Sequence, residues 1–215
     1  MTIKIGNKLN IQLAIYLLML TTIIIIYTPI VSAQEFNANT APAKTISNLH
    51  VHLIQGMKGG DKLGFQGRFK LLAPIIENTH ELDFILKKIL GKFWDKLELK
   101  QQKILTEHFH NLSISTYAGW FKKYDNEYFE YIEQKKMPRG YILVRSQLVR
   151  SSGDTVSLDY LLRQDKIGWR IINVLADGVS DLALKRVEYR TVLEQKGFNA
   201  FINMLKKKIK LTQKN

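Results

Sequence analysis

The sequence predicts an α+β fold in which a layer of helices packs on a curved antiparallel sheet. Three observations carry this. Apolar residues recur at helical spacing through the first half of the chain, the period changes to two after Pro138 and Gly140, and it becomes helical again after Gly178. Helices first, then neighbouring strands joined by short turns, then helices again is the order of a sheet covered on one face.

Taken in order, Ile46, Leu49, Leu53 and Ile54 predict a first helix, with Gly56, Gly59 and Gly60 ending it in a loop. A short helix is expected over Leu71 to Ile76, with Pro74 near its first turn. Leu82, Ile85, Leu86, Ile89 and Phe93 mark a second amphipathic helix, which Gly91 ends early. The longest stripe is central: Leu105, Phe109, Leu112, Thr116, Trp120 and Tyr124, widened by Ile104, Tyr117 and Phe121.

Beyond Pro138, Tyr141 to Arg150 reads as a strand with Ile142, Val144 and Leu148 on one side. Ser151 to Asp154 turns it back, and Thr155 to Arg163 returns with Val156, Leu158, Tyr160 and Leu162 aligned. After a turn at Gln164 to Lys166, Trp169, Ile171, Asn173 and Leu175 alternate with Arg170, Ile172, Val174 and Ala176. These strands make an antiparallel meander, and Tyr128 to Gln134 fits as an additional one. Gly178 supplies a sharp turn, Ser180 an N-cap and Asp181 a favourable charge at the helix start, with Lys185 in reach at i,i+4. Leu182, Val187, Tyr189 and Val192 follow at helical spacing, and a closing helix runs from Asn199 to Lys210 with Phe201, Leu205 and Ile209 on one face.

Residues 1–33 read as a signal peptide: Lys4 and Lys8 precede an apolar core from Leu13 to Tyr27, and Val31-Ser32-Ala33 is a small-residue cleavage site. That predicts export to the periplasm, a flexible tail over residues 34–44 and one domain over residues 45–215. The chain has no cysteine, so disulfides cannot staple it. Its formal charge of +13 suits anionic surfaces. No nucleic-acid module accompanies that charge, so nucleic acid is not an expected partner, and the Lys206-Lys207-Lys208 run reads as a solvated face.

Catalytic chemistry finds little footing. His50, His52, His80, His108 and His110 form two His-x-His pairs, but residues two apart on a helix point away from each other, so no metal site is expected. They read as solvated or core-edge histidines. Ser180 lies outside any nucleophile-elbow pattern, Asp177 and Asp181 suit a turn and a helix start, and the glycines from Gly56 to Gly67 lack a phosphate-loop ending. No catalytic residue and no cofactor is expected.

The run Ala176-Asp177-Gly178-Val179-Ser180-Asp181-Leu182-Ala183-Leu184-Lys185-Arg186, after the Trp169 strand, resembles the MlaC-like family of periplasmic lipid carriers, also called the toluene-tolerance auxiliary family. It looks most like the hopanoid-associated branch, often called HpnM. Gly64-Phe65-Gln66-Gly67-Arg68-Phe69 with Leu72 and Pro74 is similar to the family's early segment. Leu90-Gly91-Lys92-Phe93-Trp94, Gln102, Phe109 and Thr116-Tyr117-Ala118 are similar to its centre, and Gly197-Phe198 and Leu205 to its closing helix. The segment after Pro74 is met only loosely, by Asp83-Phe84.

The resemblance implies an NTF2-like (cystatin-like) sheet enclosing an apolar pocket with its helices, and a shuttle carrying phospholipid, or a hopanoid, between an inner-membrane ABC-type transport complex and an outer-membrane lipid complex. A monomer with transient membrane-surface contact is expected. Strand faces and the helical stripe then nominate Phe84, Phe109, Leu112, Tyr117, Val144, Leu158, Tyr160, Ile171 and Val174 as lipid-binding, with Arg145 and Arg163 either meeting a head group or, as is commoner, facing water. The competing readings are an envelope adaptor that holds no lipid and, on fold analogy alone, a small NTF2-like enzyme.

Overall fold

The computed structural model describes residues 40–214, so the expected signal peptide and the tail up to residue 39 lie outside the described residues. Helix α1 spans Ala41–Thr79, α2 Leu82–Leu90, α3 Leu99–Trp120 and α4 Asp181–Lys214. Between α3 and α4 lie strands β1 (Tyr128–Met137), β2 (Tyr141–Val149), β3 (Thr155–Gln164), β4 (Trp169–Ala176) and β5 (Val179–Ser180). They form one open antiparallel sheet in the order β1-β2-β3-β4-β5, each strand hydrogen-bonded to its sequence neighbours. Among the described residues no helix is long and apolar enough to cross a membrane.

Helix α1 departs most from the sequence expectation. It begins at Ala41, inside the stretch expected to be a flexible tail, because the Thr40 hydroxyl caps it by accepting from the Ala43 N–H. The Thr40 hydroxyl also donates to the Gln134 side chain on β1, 2.7 Å away, which ties the helix start to the sheet. Gly56, Gly59 and Gly60 do not open a loop. Helical geometry breaks only at Gly60 (φ 42°) and Gly64 (φ 58°) and resumes at once. Both are left-handed conformations that glycine adopts without a Cβ penalty, so the helix bends where it was expected to stop. Arg68, buried after the bend, donates to the Gly60 carbonyl at 2.8 Å and to the Ala118 carbonyl of α3 at 2.9 Å. Pro74 lies well inside the helix rather than in a first turn, with its ring on the exposed side.

Helix α2 ends at Leu90 because Gly91 (φ 55°) turns the chain into a single 3₁₀ stretch over Gly91–Lys96. Helix α3 stops at Trp120, so Tyr124 falls outside it. The two C-terminal helices are one element, kinked at Gly197 (φ 75°). Ser180 caps its start as expected, its hydroxyl accepting from the Ala183 N–H at 3.1 Å. Lys185 Nζ meets the Asp181 carboxylate at 2.5 Å. Val187, expected on the packed face, is 71% exposed. At the far end of α4, a Cβ on Gly119 of α3 would sit 2.9 Å from the Thr212 carbonyl oxygen, so glycine is what lets the two helices close there.

The sheet follows the strand readings with two additions. β1 carries a bulge between Tyr131 and Glu133, and β4 carries one at Ile172, since Leu162 pairs with Ile171 and Leu161 with Asn173. A bulge adds a residue on one strand, bends it and reverses the facing beyond it. Strict alternation would place Ile171 and Val174 on opposite faces. With Ile172 as the extra residue, Ile171 opposes Leu162 and Val174 opposes Tyr160, so both join the helix-facing side. The two bulges curve the sheet around one core holding Ile46, Leu49, Leu53, Leu86, Leu105, Val144, Leu162, Ile171, Tyr189 and Leu205, none of them solvent-exposed. The start of β4 is protected by the end of α1 and the junction that follows it: Glu81 N–H donates to the Ile171 carbonyl at 2.9 Å, and the Arg170 guanidinium holds the Glu77 and His80 carbonyls.

Candidate functional site: an apolar cleft between sheet and helices

The cleft is built where the curved sheet and the helices part. β3 supplies Leu158 and Tyr160, and β4 supplies Asn173, Val174 and Ala176. Opposite them, Phe109, Ser113, Thr116, Tyr117 and Trp120 lie on one face of α3, spaced by one turn or two. Leu82 and Ile85 of α2 close the deep end, while Val179, Leu182 and Leu184 border the mouth. The enclosed space is about 190 Å³. Two larger but more open surface grooves, of about 490 and 340 Å³, run along α1 and carry charged side chains such as Lys58, Glu127, Lys44 and Arg170.

Nearly every polar group in the cleft wall is satisfied by the protein itself, which is why the surface it offers is apolar. Ser113 and Thr116 donate their hydroxyls to their own helix, to the Phe109 and Leu112 carbonyls at 2.9 and 2.8 Å. Tyr160 OH meets His50 Nε2 at 3.0 Å, and Tyr117 OH meets His80 Nε2 at 2.9 Å. Thr79 donates to the Ile75 carbonyl at 2.6 Å, so at 3.0 Å it can only accept from His80 Nδ1–H. In the neutral ring that burial favours, Nε2 is then the acceptor and Tyr117 the donor. Burial holds the His80 imidazole at a pKa of about 3; the Ile76 backbone contact opposes this, and the nearby charges of Arg170 and Lys185 reinforce it. Burial alone brings His50 to about 3 as well. Burial pushes both tyrosine hydroxyls above their ordinary range.

These two histidines correct the sequence expectation of solvated or core-edge side chains. His50 and His80 are each 3% exposed, and the His50 ring stacks on Phe129 at 3.7 Å between centroids. The signal was in the spacing: position 50 lies four after Ile46 and three before Leu53, on the buried stripe of α1.

Of the nominated lipid-binding residues, Phe109, Tyr117, Leu158, Tyr160 and Val174 line the cleft. Leu112, Val144 and Ile171 lie on the correct faces but deeper, within the packed core. Phe84 stands apart from the cleft, half-buried, with the Arg163 guanidinium 4.0 Å from its ring. Neither nominated arginine is at the cleft. Arg163 forks onto the Glu81 carboxylate, and Arg145 is held by Glu133 at 2.8 Å and Asp159 at 3.2 Å. Trp120 was read as core in the α3 stripe, but it is 70% exposed at the mouth.

The remaining polar candidates have structural partners. Asp177 accepts from the Ser157 N–H at 2.9 Å, and Asp181 is taken by Lys185. Among the described residues, no group of three or more His, Asp or Glu side chains is placed to hold a metal ion. What the arrangement can do is shelter apolar groups from water.

No functionally curated protein matches the chain in sequence. Among solved structures, the chain is similar to a phospholipid-binding protein from Ralstonia solanacearum, determined in complex with a phospholipid. The TM-score is 0.71 at 20% identity, over 80% of this chain and 99% of that one, a likeness of fold. The MlaC protein family matches residues 47–207, three quarters of the chain, and the chain belongs to that family.

Proposed function

We propose that this chain is a periplasmic lipid carrier that binds phospholipid in the cleft between sheet and helices. The observation that carries the reading is a cleft whose polar atoms are almost all tied to protein partners, leaving a wall of Phe109, Leu158, Val174 and Leu182. Supporting it are the family membership and the fold shared with a protein that holds a phospholipid. Residues 1–33 act as the export signal, and residues 45–215 form the lipid-binding domain, of the NTF2-like class. An inner-membrane ABC-type complex and an outer-membrane complex serve as donor and acceptor. The resemblance to the HpnM branch makes a hopanoid the alternative cargo. Binding, not catalysis, is the role.

The energetics suit a shuttle. A diacyl lipid exposes about 30 methylenes, and leaving them in water costs roughly 24 kcal/mol at about 0.8 kcal/mol each. A protein cleft and a bilayer shelter the same surface, so transfer between them lies near balance.

Extraction tests the proposal. The mature chain, incubated with vesicles carrying a fluorescent phospholipid and separated by size, is expected to elute with about one lipid per protein. Elution with only background fluorescence would contradict it.

A further inference from the structure

The mouth of the cleft presents apolar side chains to water that packing does not require. Trp120 is 70% exposed, Val179 53%, Leu184 60% and Val187 71%. The first three border the cleft, and Val187 lies one turn beyond Leu184 on α4, so the rim and the cavity wall form one continuous apolar surface. Scattered exposed aliphatics are ordinary, whereas a contiguous set around an opening marks a contact surface.

Positive charge flanks this rim: Lys123 is exposed three residues after Trp120. The contact of Gly119 with Thr212 brings the Lys210 end of α4 beside Trp120. Of the nearby carboxylates, Asp181 is paired with Lys185 at 2.5 Å and Glu188 with Lys208 at 2.7 Å, while Asp177, in the turn before Val179, accepts from the Ser157 N–H.

We propose that this rim docks directly on an anionic bilayer surface, with Trp120, Val179, Leu184 and Val187 entering the interfacial layer and the lysines meeting lipid phosphates. This rests on the carrier reading and names the partner of its site. Tryptophan favours the head-group region, where its ring is sheltered and its N–H stays wet, and basic residues around it are drawn to anionic lipid. Docked this way, the cleft opens onto acyl chains, and a tail passes from bilayer to protein without crossing water.

The absence of cysteine makes the test clean. Val187→Cys and, as a control, Leu99→Cys each carry one environment-sensitive fluorophore. Leu99 is 84% exposed at the other end of α3, about 30 Å away by helix rise. With vesicles of phosphatidylethanolamine and phosphatidylglycerol, the label at 187 is expected to shift blue and be quenched by brominated lipid, while the label at 99 does neither. Val187→Glu is expected to weaken vesicle binding about tenfold or more, and added salt to weaken it further.

An unshifted label at 187, an equal shift at 99, or a shift seen only when vesicles contain membrane proteins would overturn the proposal. Lipid extracted from the same purified samples separates the two claims. Retained lipid without docking overturns the docking alone, and the absence of any retained lipid overturns the carrier reading.

Discussion

Leu158→Asp is expected to abolish phospholipid retention while leaving the protein folded. Leu158 sits on β3 between Ser146 of β2 and Ala176 of β4, half-buried, with its side chain in the cleft floor beside Tyr160. In the empty protein a carboxylate there can reach water through the mouth. An acyl chain laid over it removes that water, and no cation in the wall is free to replace it, since Lys185 is already paired with Asp181. Burying an unpaired charge costs several kcal/mol, and each 1.4 kcal/mol is about tenfold in affinity, so a loss of at least about 100-fold follows. Ile171→Asp is the instructive contrast. Ile171 is 0% exposed and packed in the core, so the same change there should unfold the chain before lipid is considered. Lipid extracted after purification, read beside a thermal melt, checks both. A folded Leu158→Asp protein holding lipid at the parent level would remove Leu158 from the site.

The second large effect is on stability in acid. His50 and His80 are held neutral at pKa values of about 3, whereas in the unfolded chain they titrate near the ordinary ~6.5. As pH falls, the unfolded state takes up these two protons first, so the stability linked to them is complete above about pH 7 and is lost between about 6.5 and 3. With both contributing, the slope approaches about 2.7 kcal/mol per pH unit, and moving from pH 7 to 5 removes about 4 kcal/mol. Against a total of about 5–15 kcal/mol for a domain, that is a large fraction. Glu133 and Asp165 are held below the ordinary carboxylate range and add their own losses only below the unfolded carboxylate value of about 4, so the slope between pH 7 and 5 belongs to the histidines. Denaturant melts at pH 7.5, 6 and 5 would show the slope. Equal stability at pH 7.5 and 5 would mean the histidines are hydrated, as the sequence alone suggested.

Much of the sheet was legible because its signals are local. Pro138-Gly140, Ser151–Asp154 and Gln164–Lys166 punctuate strands whose apolar residues alternate, and the Gly178-Ser180-Asp181 sequence states a turn, a cap and a helix start in order. The bulge at Ile172 was not legible. An extra isoleucine among isoleucines leaves no mark in composition, and only the pairing with β3 shows that Val174 has changed sides. The glycines of α1 were ambiguous for a physical reason: the same freedom at φ > 0 serves a helix end and a helix bend, and contacts such as Arg68 with Gly60 decide between them.

The site was half legible on the same grounds. Period two identifies which strand residues face the helices, which is how Leu158 and Tyr160 were found. It does not encode depth, so Val144 and Ile171 share their direction yet lie sealed in the core. Phe84 sits off the stripe formed by Leu82, Ile85, Leu86 and Ile89, and took a cation above its ring instead. Trp120 illustrates the converse. Helical spacing put it with the core, but α3 ends there, and beyond the last turn no neighbour covers it.

The central claim is that the cleft holds lipid, and native mass spectrometry of the mature protein, purified from the periplasm without detergent, tests it most directly. The account predicts a mass above that of the chain by one phospholipid or hopanoid, released on activation and identifiable after extraction. A bare chain mass, unchanged after incubation with vesicles, would contradict it and favour an adaptor that docks without cargo.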